Sequence, residues 1–175
     1  VELRVMHARI ARVLAGQSIY QDVQAAVLAG HYEAGEMFKE AFFSWYAAAR
    51  HDYHIFSKKD AHNAYQRAEK LLPRINLEDE EIYEFYANWG FMLFNTDDPD
   101  ALETVMKNLL SLGQRRSSHL LIGTALDGLS DVCMARNQFK EVLKLVEEAL
   151  PYLIMGAHIP AQMNAYIHQG VFEYM

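Results

Sequence analysis

Residues 84–98, EFYANWGFMLFNTDD, have two near relatives in the same chain. Set above TALDGLSDVCMARNQ (124–138) and MNAYIHQGVFEYM (163–175), they put Gly90, Ser130 and Gly170 in one column and Tyr86, Leu126 and Tyr166 in another, 40 residues apart at each step. A small residue at a fixed place on every second helix lets a neighbouring helix approach closely, and the large residue one turn earlier fills the adjoining gap. Each of the three small residues is therefore expected at a close helix contact. Recurrence at one fixed period is the mark of a stacked repeat. In the last copy Gln169 and Glu173 stand where the others are apolar.

Outward from these segments, apolar residues recur at intervals of three and four along nearly the whole chain, and no stretch bounded by turn residues alternates with period two. The spacing predicts an all-α fold, with helices over 2–15, 20–33, 37–56, 59–72, 78–95, 99–113, 118–136, 139–154 and 161–175. Asn76 ahead of Glu78, Asp79, Glu80 and Glu81 reads as a cap followed by negative charge at a helix N-terminus. Asp97 and Asp98 before Pro99 read as another start, with Gly113 closing that helix. Pro73 stops the preceding helix, and Gly156 to Pro160 separates the last two. Connections are short, so residues 1–175 read as one continuous array, with 1–17 open to being the last helix of an upstream domain. Val1 in place of an initiating Met, and an end at Tyr174-Met175 inside a helical pattern, read as cut ends of a longer protein.

Composition narrows the function. With 23 acidic against 16 basic residues the formal charge is −7, and the densest basic runs are Lys58-Lys59 and Arg115-Arg116. That is too little clustered positive charge to neutralise a nucleic-acid backbone, so no direct nucleic-acid partner is expected. The single cysteine, Cys133, forms no internal disulfide, and no leader is apparent, which points to a reducing, cytoplasmic setting. No apolar run approaches the roughly 18 residues of a membrane span, so no membrane partner is expected.

In residues 42–75, Trp45, Ala49, Ala61, Tyr65, Ala68 and Pro73 fall at the spacing of a tetratricopeptide repeat, which this segment resembles. Leu129, Ser130, Asn137, Phe139 and Ala149 follow the same pattern in another unit, although Val142 stands where the family prefers alanine. A second frame, through Leu28, Ala29, Tyr32, Phe38, Ala41, Trp45 and Ala48, also fits, so the helix carrying Trp45 is the second of a pair in one and the first in the other. MHARIARVLAG (6–16) followed by AAVLAGHYEAGEMFKEAFFSWYAAAR (25–50) is similar to the segment after the nucleotide-binding module of STAND-class ATPases, including MalT-like, LuxR-type regulators. The resemblance implies a right-handed α-solenoid of antiparallel helix pairs, here with a period of about 40 residues. It also implies a sensor or interaction region of a larger signalling or transcription-regulatory protein. No Walker motif is present, so any ATPase would lie upstream.

In such an array the reactive side chains are read as structural. His51, His54 and His62 lack the HExxH spacing of a metal site and are read as solvated or core. Glu33, Glu36 and Glu40 are read as an exposed acidic face, and Cys133 as packing. No catalytic, metal or cofactor-binding residue is assigned. The concave binding face is read at Phe43, Tyr46, Arg50, Tyr53 and His54, then Glu84, Phe91, Phe94 and Asn95, then Asp127 and Asp131, with Met134 beside them. Aromatics beside one Arg and several carboxylates suit a protein or peptide partner, which includes other domains of the same chain; the alternative is a small-molecule effector bound in the superhelix.

Overall fold

The computed structural model describes residues 2–173 apart from Asp22. Among the described residues the chain is all-helical, without strands. It forms two compact units that part between Leu77 and Glu78. The first holds α1 (Glu2–Ala15), the single turn α2 (Ser18–Gln21), α3 (Ala25–Ala34), α4 (Phe38–His54) and α5 (Lys58–Glu69), and ends in a short 3-10 turn at Leu72–Arg74. The second holds α6 (Asp79–Asn95), α7 (Pro99–Arg116), α8 (His119–Ala135), α9 (Phe139–Met155) and α10 (Ile159–Glu173).

One turn joins most of these helices. Glu36 and Phe56 in the first unit, and Asp97, Ser117, Asn137 and Ala157 in the second, have φ between 53° and 63°, the left-handed conformation. The residue after the left-handed one sends its N–H back five residues, as Ser118 does to the Gly113 carbonyl (2.9 Å) and Gln138 to that of Cys133 (2.8 Å). This arrangement uses carbonyls the helix end leaves open. In the second unit the left-handed residues fall at 97, 117, 137 and 157, one every 20 residues. The 40-residue period is therefore two helices and two identical turns. By the 40-residue step α6, α8 and α10 occupy equivalent places in the sequence, and the left-handed turn precedes α7, α8, α9 and α10 alike.

Several helix starts and stops differ from the sequence reading. The cap of α6 is Glu78, not Asn76: its side chain accepts from the backbone of Glu81 while its own N–H donates to Glu81 Oε2 (2.9 Å). Asp98 caps α7, accepting from Ala101 N at 3.0 Å with Pro99 behind it. Gly113 does not close α7, which runs on to Arg116 and turns at Ser117. Its missing side chain serves a crossing instead: a Cβ there would lie 2.9 Å from the backbone nitrogen of Ile122. α5 ends at Glu69, ahead of the 3-10 turn that contains Pro73. The helix expected over 20–33 is broken between α2 and α3. No residue of α2 is buried, and the helix resumes at Ala25, the first buried residue after the break.

Small residues bring the helices together in both units. In the first, Ala25, Ala29, Ala41, Ala48, Ala49, Ala61, Ala64 and Ala68 are buried around Phe42, Trp45 and Tyr65, and a Cβ at Gly35 would lie 3.0 Å from the backbone of Ala8 on α1. In the second, Met106 of α7 runs between Gly90 of α6 and Gly128 of α8. A Cβ at Gly90 would come 2.5 Å from its methyl carbon, and one at Gly128 nearer still to its sulfur. The three aligned small residues then behave differently. Gly90 lies at that contact, and Ser130 is fully buried with its hydroxyl donating to the Asp127 carbonyl (2.6 Å). Gly170 does not share their role: no described atom lies within 4 Å of a Cβ built there. Tyr86 and Leu126 are buried, whereas Tyr166 is half exposed, so the last copy repeats the helix without the buried contact.

Candidate functional site

The alternate helices α6, α8 and α10 line a cavity of about 400 Å³ in the second unit, to which α7 adds Leu102 and Met106. Asp127 and Asp131 lie one turn apart on α8, and Asn164 and His168 one turn apart on α10, so each pair shares a helix face. The two faces meet. Asn164 Nδ2 donates to Asp127 Oδ2 at 2.8 Å, and His168 Nδ1 lies 3.0 Å from Asp127 Oδ1. The other ring nitrogen, Nε2, lies 3.4 Å from Asp131 Oδ1. His168 is therefore held between two carboxylates, one at each nitrogen, a geometry that suits the doubly protonated ring.

Burial sets the electrostatics here. Asp127 is only 6% exposed. Burial pushes the Asp131 carboxyl up to about 7, with His168 opposing the rise and Asp127 adding to it. His168 is raised above the usual imidazole value, chiefly by its hydrogen bond with Asp127, against the opposing effect of burial. On α6, burial raises the Tyr83 phenol, helped by Asp127 and Glu84, and its ring lies 4.2 Å from that of His158. Phe91 and Phe94 remain 63% and 39% exposed, so the cavity opens beside two aromatic rings.

Of the residues proposed from sequence, Phe91, Phe94, Asp127 and Asp131 come together on this cavity, with Met134. Glu84 and Asn95 are not among its lining residues; the Asn95 side chain donates to the Phe91 carbonyl (2.7 Å), and the Glu84 carbonyl accepts from Asn88. Phe43, Tyr46, Arg50, Tyr53 and His54 lie on α4, in the first unit, and form a separate strip. There the Arg50 guanidinium sits 5.9 Å from the Tyr46 ring centre, and the Tyr53 and His54 rings are 6.3 Å apart.

Sequence reasoning missed Tyr83, Asn164 and His168. The 40-residue step carried a signal for two of them. Asn164 aligns with Thr124 on the cavity wall, and His168 with Gly128, so extending the α8 face by one repeat would have reached both.

The other reactive groups have structural partners. Glu33 accepts from the Trp45 indole at 3.1 Å, and Glu36 pairs with Arg4 at 2.6 Å. His62 meets Gln66 at 2.9 Å. Cys133 packs against the α8–α9 core, and burial raises its thiol. Among the described residues no group of three His, Cys, Asp or Glu is placed to hold a metal ion, and no helix is long and apolar enough to cross a membrane. Comparison with family models, with curated proteins and with solved structures yields no match.

Proposed function

We propose that this chain is a non-catalytic binding module of the tetratricopeptide type, a right-handed α-solenoid that serves as the interaction or sensor region of a larger cytoplasmic signalling or transcription-regulatory protein of the STAND class. The observation that carries the reading is the cavity formed by α6, α8 and α10. These helices occupy equivalent places in the 40-residue repeat, and repeat arrays work through surfaces built from such equivalent positions. The exposed rings of Phe91 and Phe94 supply apolar area, and the carboxylates behind them supply orientation. A protein or peptide partner seated along this face is the first reading. A small-molecule effector is the second, favoured by a volume of about 400 Å³, which falls within the usual range of small-ligand sites.

Peptides selected from a displayed library against the whole chain provide the test, with affinities measured by calorimetry. The double substitution Phe91→Ser, Phe94→Ser is expected to weaken them at least tenfold while the unfolding midpoint holds. Unchanged affinity in that variant, together with loss in Arg50→Ala, would move the binding face to α4 and refute the reading.

A further inference from the structure

We infer that the cavity between α6, α8 and α10 is a receptor for an organic cation, an ammonium or guanidinium group on an apolar stem, and that the His168 ring is its built-in competitor. The inference rests on the reading of this cavity as the ligand site.

Charge complementarity comes first. Among the described residues, the cavity walls carry two carboxylates, Asp127 and Asp131, no lysine or arginine, and a single basic side chain, His168. Carboxylates withdrawn from water require a cationic or hydrogen-bonding partner. The protein meets that need with an imidazole aimed at both acids, 3.0 Å from one and 3.4 Å from the other. A guanidinium or ammonium group presents donors in the same two directions. Phe91 and Phe94 stand beside the acids with their rings accessible, where a cation gains from the ring face and its stem from the apolar edge. Met134 and Met106 complete an apolar lining that adapts to the stem's shape.

The competitor makes binding depend on pH. The charged groups facing His168 and Asp131 are each other and Asp127 of α8, which also accepts from the Asn164 amide of α10; Tyr83 of α6 lines the same cavity, and the α7 contributions, Leu102 and Met106, are uncharged. As pH rises through about 7 the Asp131 carboxyl gives up its proton, and the His168 ring, raised above the usual imidazole value, gives up its own later than a free imidazole would. The cavity becomes more negative and loses its own cation, so an external cation binds more tightly, by up to about tenfold per pH unit for each proton released.

Calorimetry of the whole chain at pH 6 and pH 8 tests this with three probes: N-acetylarginine amide, agmatine and the neutral isostere N-acetylcitrulline amide. The arginine amide stands for a peptide side chain and agmatine for a free small cation, and the tighter of the two identifies the source. Both cations are expected to bind better at pH 8 and the citrulline probe at least tenfold more weakly. His168→Gln, which keeps a hydrogen-bonding group but removes the charge, is expected to tighten the cations at pH 6 and flatten their pH dependence. Asp131→Asn is expected to weaken them about tenfold at pH 8. Equal binding of the citrulline probe, or a His168→Gln protein no tighter than the parent at pH 6, overturns the cation while leaving the cavity as a ligand site. Failure of every probe at both pH values overturns it too, and the peptide selection then decides the cavity separately. Cation binding that survives Phe91→Ser, Phe94→Ser and Asp131→Asn together removes the cavity from both readings.

Discussion

Replacing Gly113 with alanine adds one methyl group where α7 crosses α8. The new Cβ would lie 2.9 Å from the Ile122 backbone nitrogen, 3.0 Å from Leu121 Cβ and 3.1 Å from Ile122 Cγ1. Carbon contacts are most favourable near 3.5–4.0 Å, so all three are compressed, and the closest is to backbone that cannot rotate aside. Overpacking of this kind costs about 1–3 kcal/mol. Alanine also returns up to about 1 kcal/mol of helix propensity, which hides part of the cost. Gly30→Ala isolates that gain, because Gly30 lies within α3 and a Cβ added there would meet no neighbouring atom within 4 Å. Gly30→Ala is expected to stabilise the first unit by about 0.5–1 kcal/mol. Gly113→Ala is expected to fall below it by about 1–3 kcal/mol. The chain has two tryptophans, Trp45 in the first unit and Trp89 in the second, both buried. Urea titrations followed in Trp45→Phe and Trp89→Phe backgrounds therefore read each unit alone. If Gly113→Ala stabilises the protein as much as Gly30→Ala does, the close crossing is refuted.

Three further outcomes follow from the same structure. Phe56 holds a left-handed conformation at 85% exposure, so Phe56→Gly is expected to stabilise the first unit by about 1 kcal/mol; Asn137→Gly gains less, because asparagine tolerates that conformation, and urea midpoints compare the two. Met106→Ala empties the space between Gly90 and Gly128 and is expected to cost about 2–5 kcal/mol by the Trp89 signal. The Asp131 carboxyl, raised to about 7 by burial, binds its proton more tightly folded than unfolded, where about 3.9 is usual. Its effect on stability therefore declines as pH rises from about 4 to 7, and the raised His168 ring adds loss above about 6.5. Asp131→Asn is expected to flatten this slope and to be more stable than the parent at pH 8, as urea titrations across pH 5–8 would show.

What the sequence determined by itself was local. The helical period, Asp98 ahead of Pro99 and the 40-residue recurrence were enough for the all-α class and for most helix ends, because amphipathic spacing and caps act within a few residues of one another. Five of the cavity's residues were also legible, since Phe91, Phe94, Asp127, Asp131 and Met134 share a face with their repeat neighbours. Tertiary structure decided the rest. Gly113 looked like a helix stop because a glycine that ends a helix and one that admits a neighbour are the same letter, and only the position of Ile122 separates them. Gly170 shared a column with Gly90 and Ser130 without sharing their contact, since a close approach needs a second helix at that place. His168 took its meaning from carboxylates 41 and 37 residues away. The raised proton affinities of that group exist only where helix packing has shut water out, and no spacing along the chain records how much water remains.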